Sequence, residues 1–223
     1  MKIIVTIFLI MGYAIPCLGG DKDLVLPSVP DKSGVDLAPA MEKRAASRTY
    51  DGRKVPIEAI SAILWAGNGI ILESGHKTIH GYDAVSGATS DHRYTIPWGW
   101  GEPYLRLYLL LEEGAWEYVP KGHRLRHVTE RNLMESSGSD GADASGVILI
   151  AADLNRMPSF NQDVRNVAYL SAGSAAQNMY LMGTANHVQM LTQVSFRNDR
   201  LIKSLALPDN IEPLAILTFG YAN

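Results

Sequence analysis

Cysteine is almost missing from this chain. The single one, Cys17, lies in an N-terminal segment expected to be removed, so the mature fold can use neither disulfides nor thiol chemistry. An excess of charge of either sign is missing too. Lysine and arginine number 20 against 23 acidic residues, and the pI is near 6.1, which gives no sign of nucleic-acid binding. There is no internal repeat. There is also no phosphate-binding P-loop and no GxSxG nucleophile elbow, which leaves hydrolase and kinase chemistry without a motif to rest on. Gly67-Asn68-Gly69 and Gly99-Trp100-Gly101 both lack the third glycine of a dinucleotide fingerprint.

What is present begins with an export signal. Lys2 precedes the apolar run IIVTIFLIMGYAI, which is too brief for a comfortable membrane span. Small residues follow at Cys17, Gly19 and Gly20, where a signal peptidase could cut. Pro16 and Ala14 fit poorly around a lipoprotein cysteine. Residues 1–20 are therefore expected to be a signal peptide, with export to the periplasm and no stable membrane span after cleavage; an uncleaved anchor is the alternative. Residues 21–37 mix Pro, Gly, Asp and Lys and read as an extended arm. Residues 38–223 are long enough for one domain with a substantial core.

The longest regular stretch runs from Gln162 to His187. It has no proline, and apolar residues recur at helical spacing around most of its circumference, so the pattern predicts a long buried helix. Small residues from Ser171 to Ala176 would admit another helix, a second subunit or a flat ligand. A first helix is expected over Ala38–Ser47. It would place Arg44 and Arg48 on one face, either clamping a phosphate or forming a solvated basic surface. Pro56 opens a second helix, which ends at Gly67-Asn68-Gly69.

Residues 71–92 form a long polar insertion. His76 and His80, and again His123 and His127, have HxxxH spacing. The first pair falls in a loop and the second in a hairpin strand, and no carboxylate motif completes either, so no metal is expected. Leu105–Glu112, Trp116–Tyr118 and Arg124–Arg126 read as an antiparallel ribbon turning at Lys121-Gly122. The PWGWG loop before it pairs two indoles with two glycines. It could face a flat ligand, or the tryptophans could fill core or interface space. Residues 135–146 are a flexible loop by composition, and Gly146–Ala152 is a buried strand. A strand over Met190–Phe196, a helix over Asn198–Leu205 and a strand over Pro213–Tyr221 complete an α+β or α/β domain.

The segments RAASRTYDGRKVPIEAISAILWAGNGI, RYTIPWGWGEPYLRLYLLLEEGAWEYVP and YLSAGSAAQNMYLMGTANHV, followed by a C-terminal LTFGY, together resemble the FMN-dependent nitroreductase superfamily. The resemblance is nearest to the branch that includes the azoline-forming dehydrogenases of modified-peptide clusters. It spans about residues 35–221, and its most specific parts are Ser61–Gly67 and Gly173–Leu181.

The resemblance implies an α+β fold, a mixed sheet flanked by helices, in a homodimer that holds FMN at the subunit interface. The family's RRSxRxF phosphate motif matches Arg44–Tyr50. Arg44 and Arg48 are kept, Ala46 stands at the serine position, and Ser47 lies beside it. The family's PSAxN flavin loop reads Pro97-Trp98-Gly99-Trp100-Gly101, with Trp98 for the serine and Gly101 for the asparagine. Gln193 and Val194 align with the segment that approaches flavin N5 in relatives. The implied activity is oxidoreduction through flavin, from a reduced nicotinamide, a quinol or a partner redox protein to a quinone, a nitroaromatic or a similar acceptor. No side chain stands out as an acid or base. The alternative is a flavin-free binding or structural protein in which Trp98 and Trp100 fill the cofactor site.

Overall fold

The computed structural model describes residues 23–29, 36–72, 93–97, 103–138, 143–157 and 162–223. Its frame is a seven-stranded sheet. Nine strands are named in chain order: β1 (Leu24–Val25), β2 (Ile70–Leu72), β3 (Arg93–Tyr94), β4 (Leu105–Leu111), β5 (Gly114–Val119), β6 (Arg124–Thr129), β7 (Gly146–Asp153), β8 (Gln189–Gln193) and β9 (Ile211–Gly220). The sheet order is β1-β6-β5-β4-β7-β9-β8, and β2 pairs with β3 separately. These strands all pair antiparallel. A parallel component enters at the β8 edge, where Ala46 bridges Met190 and makes the sheet mixed.

The interior strand β7 reads GVILIAAD and is buried along its whole length. A strand covered on both faces has no polar side to display, so its apolar run is continuous rather than alternating. The first face carries Leu107, Leu109, Ile148, Ile150 and Leu217. It packs under helices α2 (Ile57–Asn68) and α3 (Gln162–Ala185) through Ile63, Leu64, Ala168, Ala175 and Met179. Gly67 lets these two helices pack closely: a Cβ there would lie 2.8 Å from the Met179 sulfur. The second face carries Tyr108, Leu110, Val147, Leu149 and Ile216 under helix α4 (Asn198–Leu205), which contributes Leu201 and Leu205. No helix among the described residues is long and apolar enough to cross a membrane.

Several expectations need correction. Helix α1 spans only Leu37–Lys43 and does not reach Ser47. Arg44 leaves the helix with φ −58° and ψ 121°. The Ser47 N–H donates to the Met190 carbonyl at 3.1 Å, so the backbone of this segment joins the edge of β8. Helix propensity in Ala45-Ala46 loses to a strand partner that propensity cannot see. Arg44 and Arg48 therefore do not share a helical face.

The arm before the domain is docked where it is described. β1 pairs with β6, Leu26 is buried, and the Asp23 carboxylate accepts from Arg124 and from the His127 N–H. The stretch expected to be a loop over 135–146 is ordered at both ends. Glu135–Ser137 is a 3₁₀ turn, and the Ser145 hydroxyl accepts from the Val55 N–H at 2.7 Å. The polar insertion begins later than expected, because Ile71 and Leu72 belong to β2. Its remaining residues, 73–92, lie outside the described residues, as do His76, His80 and the signal segment 1–20.

The second HxxxH pair is split by the hairpin. His123 sits in the turn with φ 44°, and both of its nitrogens are engaged. Nδ1 meets the Tyr118 hydroxyl at 2.9 Å; Nε2 meets the Ser61 hydroxyl at 2.6 Å and lies 3.1 Å from the Pro27 carbonyl. His127 instead packs edge-on against Trp116.

Candidate functional site

The segment Arg44–Tyr50 lies beside β8 and is held there by backbone and side chain together. Tyr50 anchors one end: its buried phenol donates to the Ser47 carbonyl at 2.8 Å, with the Thr218 carbonyl 3.2 Å away, and burial pushes its pKa upward. At the other end the Arg44 N–H donates to the Ala40 carbonyl at 3.0 Å and closes α1. The Arg44 guanidinium carbon lies 5.3 Å from the ring centre of Tyr180 on α3. The Tyr180 hydroxyl in turn accepts from the Thr192 N–H of β8 at 2.8 Å.

Arginines across the fold differ in their partners. Arg53, Arg106, Arg124, Arg126, Arg156 and Arg165 each face a carboxylate. Arg44, half-buried, and Arg48, exposed, have no carboxylate partner among the described residues. Two cations without counter-charge at one strand edge suit an anion, because a guanidinium fork binds a phosphate through charge-assisted bonds.

The neighbouring groups narrow what else that edge can supply. Ala46 presents only a methyl group. The Ser47 hydroxyl donates to the Thr49 carbonyl at 2.8 Å, so its proton is committed locally and only its lone pairs face outward. The guanidiniums are the charged side-chain donors of this segment.

The fold brings Gln193 and Val194 to the same edge. Gln193 ends β8, and its side-chain oxygen accepts from the Thr218 hydroxyl at 3.4 Å; Val194 follows and is 69% exposed. Pro97 is exposed and belongs to a different wall. It lies two residues after Thr95, whose hydroxyl donates to the Trp65 carbonyl at 3.1 Å and whose carbonyl accepts from the Asn178 amide at 3.0 Å. Trp98, Gly99, Trp100 and Gly101 lie outside the described residues.

A mostly apolar cleft of about 360 Å³ opens between α1, α2, α3 and β2, lined by Leu37, Ala40, Trp65, Ile71, Asn178 and Met182 among others. Ala40, which lines it, also holds the N–H of Arg44, so helix α1 joins the cleft to the basic pair. Sequence reading missed this cleft and gave Tyr180 no role beyond helix packing. The available signal was Tyr180's place within the Gly173–Leu181 motif, but only the fold shows that its ring meets Arg44.

The class so defined is an α+β domain that keeps, at the edge of its sheet, a basic pair without carboxylate partners among the described residues. Residues 41–221 match the Nitroreductase family profile, and the chain belongs to that family. A protein described as a nitroreductase from Methanocaldococcus jannaschii is 24% identical over 200 residues, covering 86% of this chain and 94% of that one. The crystal structure of a Ralstonia eutropha protein described as a nitroreductase superposes with a TM-score of 0.77 at 22% identity, covering 91% of this chain and 90% of the other. A chain of the Escherichia coli microcin synthetase complex has the same fold at a TM-score of 0.62 and 14% identity, covering 100% and 85%. Family membership supports a flavin-type oxidoreductase in general terms. Members of the family typically bind flavin and are often dimers.

Proposed function

We propose that the protein is an exported, homodimeric, FMN-dependent oxidoreductase that delivers electrons to a quinone, a nitroaromatic or a similar acceptor. The observation that carries this reading is the pair Arg44 and Arg48, free of carboxylate partners among the described residues, at the β8 edge of a nitroreductase-family fold. FMN, when bound, supplies the redox chemistry. The protein's part is to bind and orient. Arg44 and Arg48 hold the phosphate, the Gln193-Val194 backbone lines the same edge, and the apolar cleft beside α1 excludes water from an uncharged acceptor.

Each charged hydrogen bond contributes about 1.5–3 kcal/mol, so loss of either arginine should weaken FMN about tenfold or more. Riboflavin, which lacks the phosphate, should bind the parent poorly and be indifferent to Arg44→Ala and Arg48→Ala. Fluorescence titration of both flavins into the parent and both variants tests this. Equal FMN affinities across the set would reduce the arginines to a solvated basic surface.

The outer side of α3 supports the dimer. Leu170 is 71% exposed there, Tyr169 is exposed, and Gly173 has open space where a side chain would be. Apolar side chains left on this outer face are what an interface between copies would cover. Light scattering should give a dimer at micromolar concentration, and Leu170→Glu should give a monomer. Export is supported by the Lys2-led apolar segment, and N-terminal sequencing should find a mature start near Gly20 or Asp21. An intact Met1 on cytoplasmic protein would remove this part of the reading.

A further inference from the structure

Resting on the reading of Arg44 as a phosphate ligand, we propose that Tyr180 is its positioning residue, orienting the guanidinium without cancelling its charge. A carboxylate, the partner of Arg53, Arg106, Arg124 and Arg165 in this fold, orients and neutralises at once. An aromatic face attracts a cation through its quadrupole and carries no net charge, so the arginine keeps its full charge for an incoming anion. A guanidinium held by its face also keeps its in-plane N–H donors for the ligand.

The geometry meets these requirements. The Arg44 guanidinium carbon lies over the Tyr180 ring at 5.3 Å, within the roughly 6 Å over which such attraction acts. The ring is itself fixed at both ends. Its backbone belongs to α3, and its hydroxyl takes the Thr192 N–H at 2.8 Å. The Arg44 backbone is tied to α1, and two residues on the chain bridges β8 at Met190. Tyr180 is therefore the side chain that sets helix α3, strand β8 and the arginine in one fixed relation.

The test is the preference for FMN over riboflavin, measured by fluorescence titration in the parent, Tyr180→Phe, Tyr180→Leu, Arg44→Ala and the Arg44→Ala/Tyr180→Leu double variant. Tyr180→Leu should lose about three- to fivefold of the preference while its riboflavin affinity stays the same. Tyr180→Phe, which keeps the ring, should retain the preference. The leucine change should cost nothing further once Arg44 is gone.

A preference unchanged in Tyr180→Leu, or an equal loss for both flavins, overturns the positioning role. If Arg44→Ala itself leaves the preference unchanged, the phosphate reading falls, and this inference with it. Should Tyr180→Leu not fold, the parent decides the matter by NMR. Upfield ring-current shifts of the Arg44 side-chain protons support the stacking, and random-coil shifts overturn it.

Discussion

Two groups of arginines in this molecule are handled in opposite ways. On the second face of the sheet, Arg106 reaches the Asp153 carboxylate at 2.7 Å and Glu117 at 3.3 Å. Arg126 also holds Glu117, while Arg156 and Asn210 also hold Asp153. Glu117 is 4% exposed and Asp153 6% exposed, so both carboxylates are out of water, and each is paired with arginines that reach toward the surface. At the β8 edge, Arg44 and Arg48 have an aromatic ring and solvent. The first arrangement spends its charges on the fold. The second leaves them for something that is not part of the chain.

The sharpest way to break this comparison is to remove one arginine from each group. Arg106→Ala leaves Glu117 to Arg126 and Asp153 to Arg156 and Asn210, so each buried carboxylate loses one charged hydrogen bond, at about 1.5–3 kcal/mol apiece. A large fall in melting temperature and denaturant midpoint is expected. Arg48→Ala strands nothing and should stay within about 0.5 kcal/mol of the parent, as exposed substitutions usually do. Equal losses in the two variants would erase the distinction.

Acid sharpens it further. Burial pushes the Asp153 carboxyl up, but hydrogen bonds from Arg106 and Asn210, with the charges of Arg106 and Arg156, outweigh it and hold its pKa below the ordinary value. A depressed folded pKa contributes stability that is present above the unfolded value, near 3.9, and lost as pH falls through the folded one. Stability should therefore drop below about pH 4 in the parent. The drop should be smaller in Asp153→Asn, measured by urea unfolding against pH.

The smallest expected effect lies at the arm. Burial pushes the His123 pKa down, more than the Pro27 carbonyl pulls it up. The neutral ring satisfies every partner: the Tyr118 hydroxyl donates to Nδ1, and Nε2–H serves Ser61 and Pro27. Its stability contribution is present above the unfolded pKa of about 6.5 and is lost as pH falls toward the folded value. The parent should melt slightly lower at pH 5.5 than at pH 7.5, and His123→Gln should flatten that difference. An unchanged slope in the variant would remove His123 from the account.

Periodicity and continuity made most of the fold legible in advance. The run GVILIAA announced the buried strand, and its apolar spacing announced the helix from Gln162. Alternation at Trp116–Tyr118 and Arg124–Arg126 around Lys121-Gly122 announced the hairpin. These signals are local, and a local pattern needs only its own residues to be read. The nitroreductase resemblance and the identities of Arg44 and Arg48 also came from the residues themselves.

Tertiary structure decided what those residues face. It ended α1 at Lys43 because β8 offered Ser47 a backbone partner. It placed Tyr180 under Arg44 from a segment more than a hundred residues away in the chain. It paired Arg106 with buried acids while leaving Arg44 and Arg48 without any among the described residues. An arginine looks the same in sequence whether it is neutralised or available. Its counter-charge, or the lack of one, comes from strands and helices that meet only when the chain has folded.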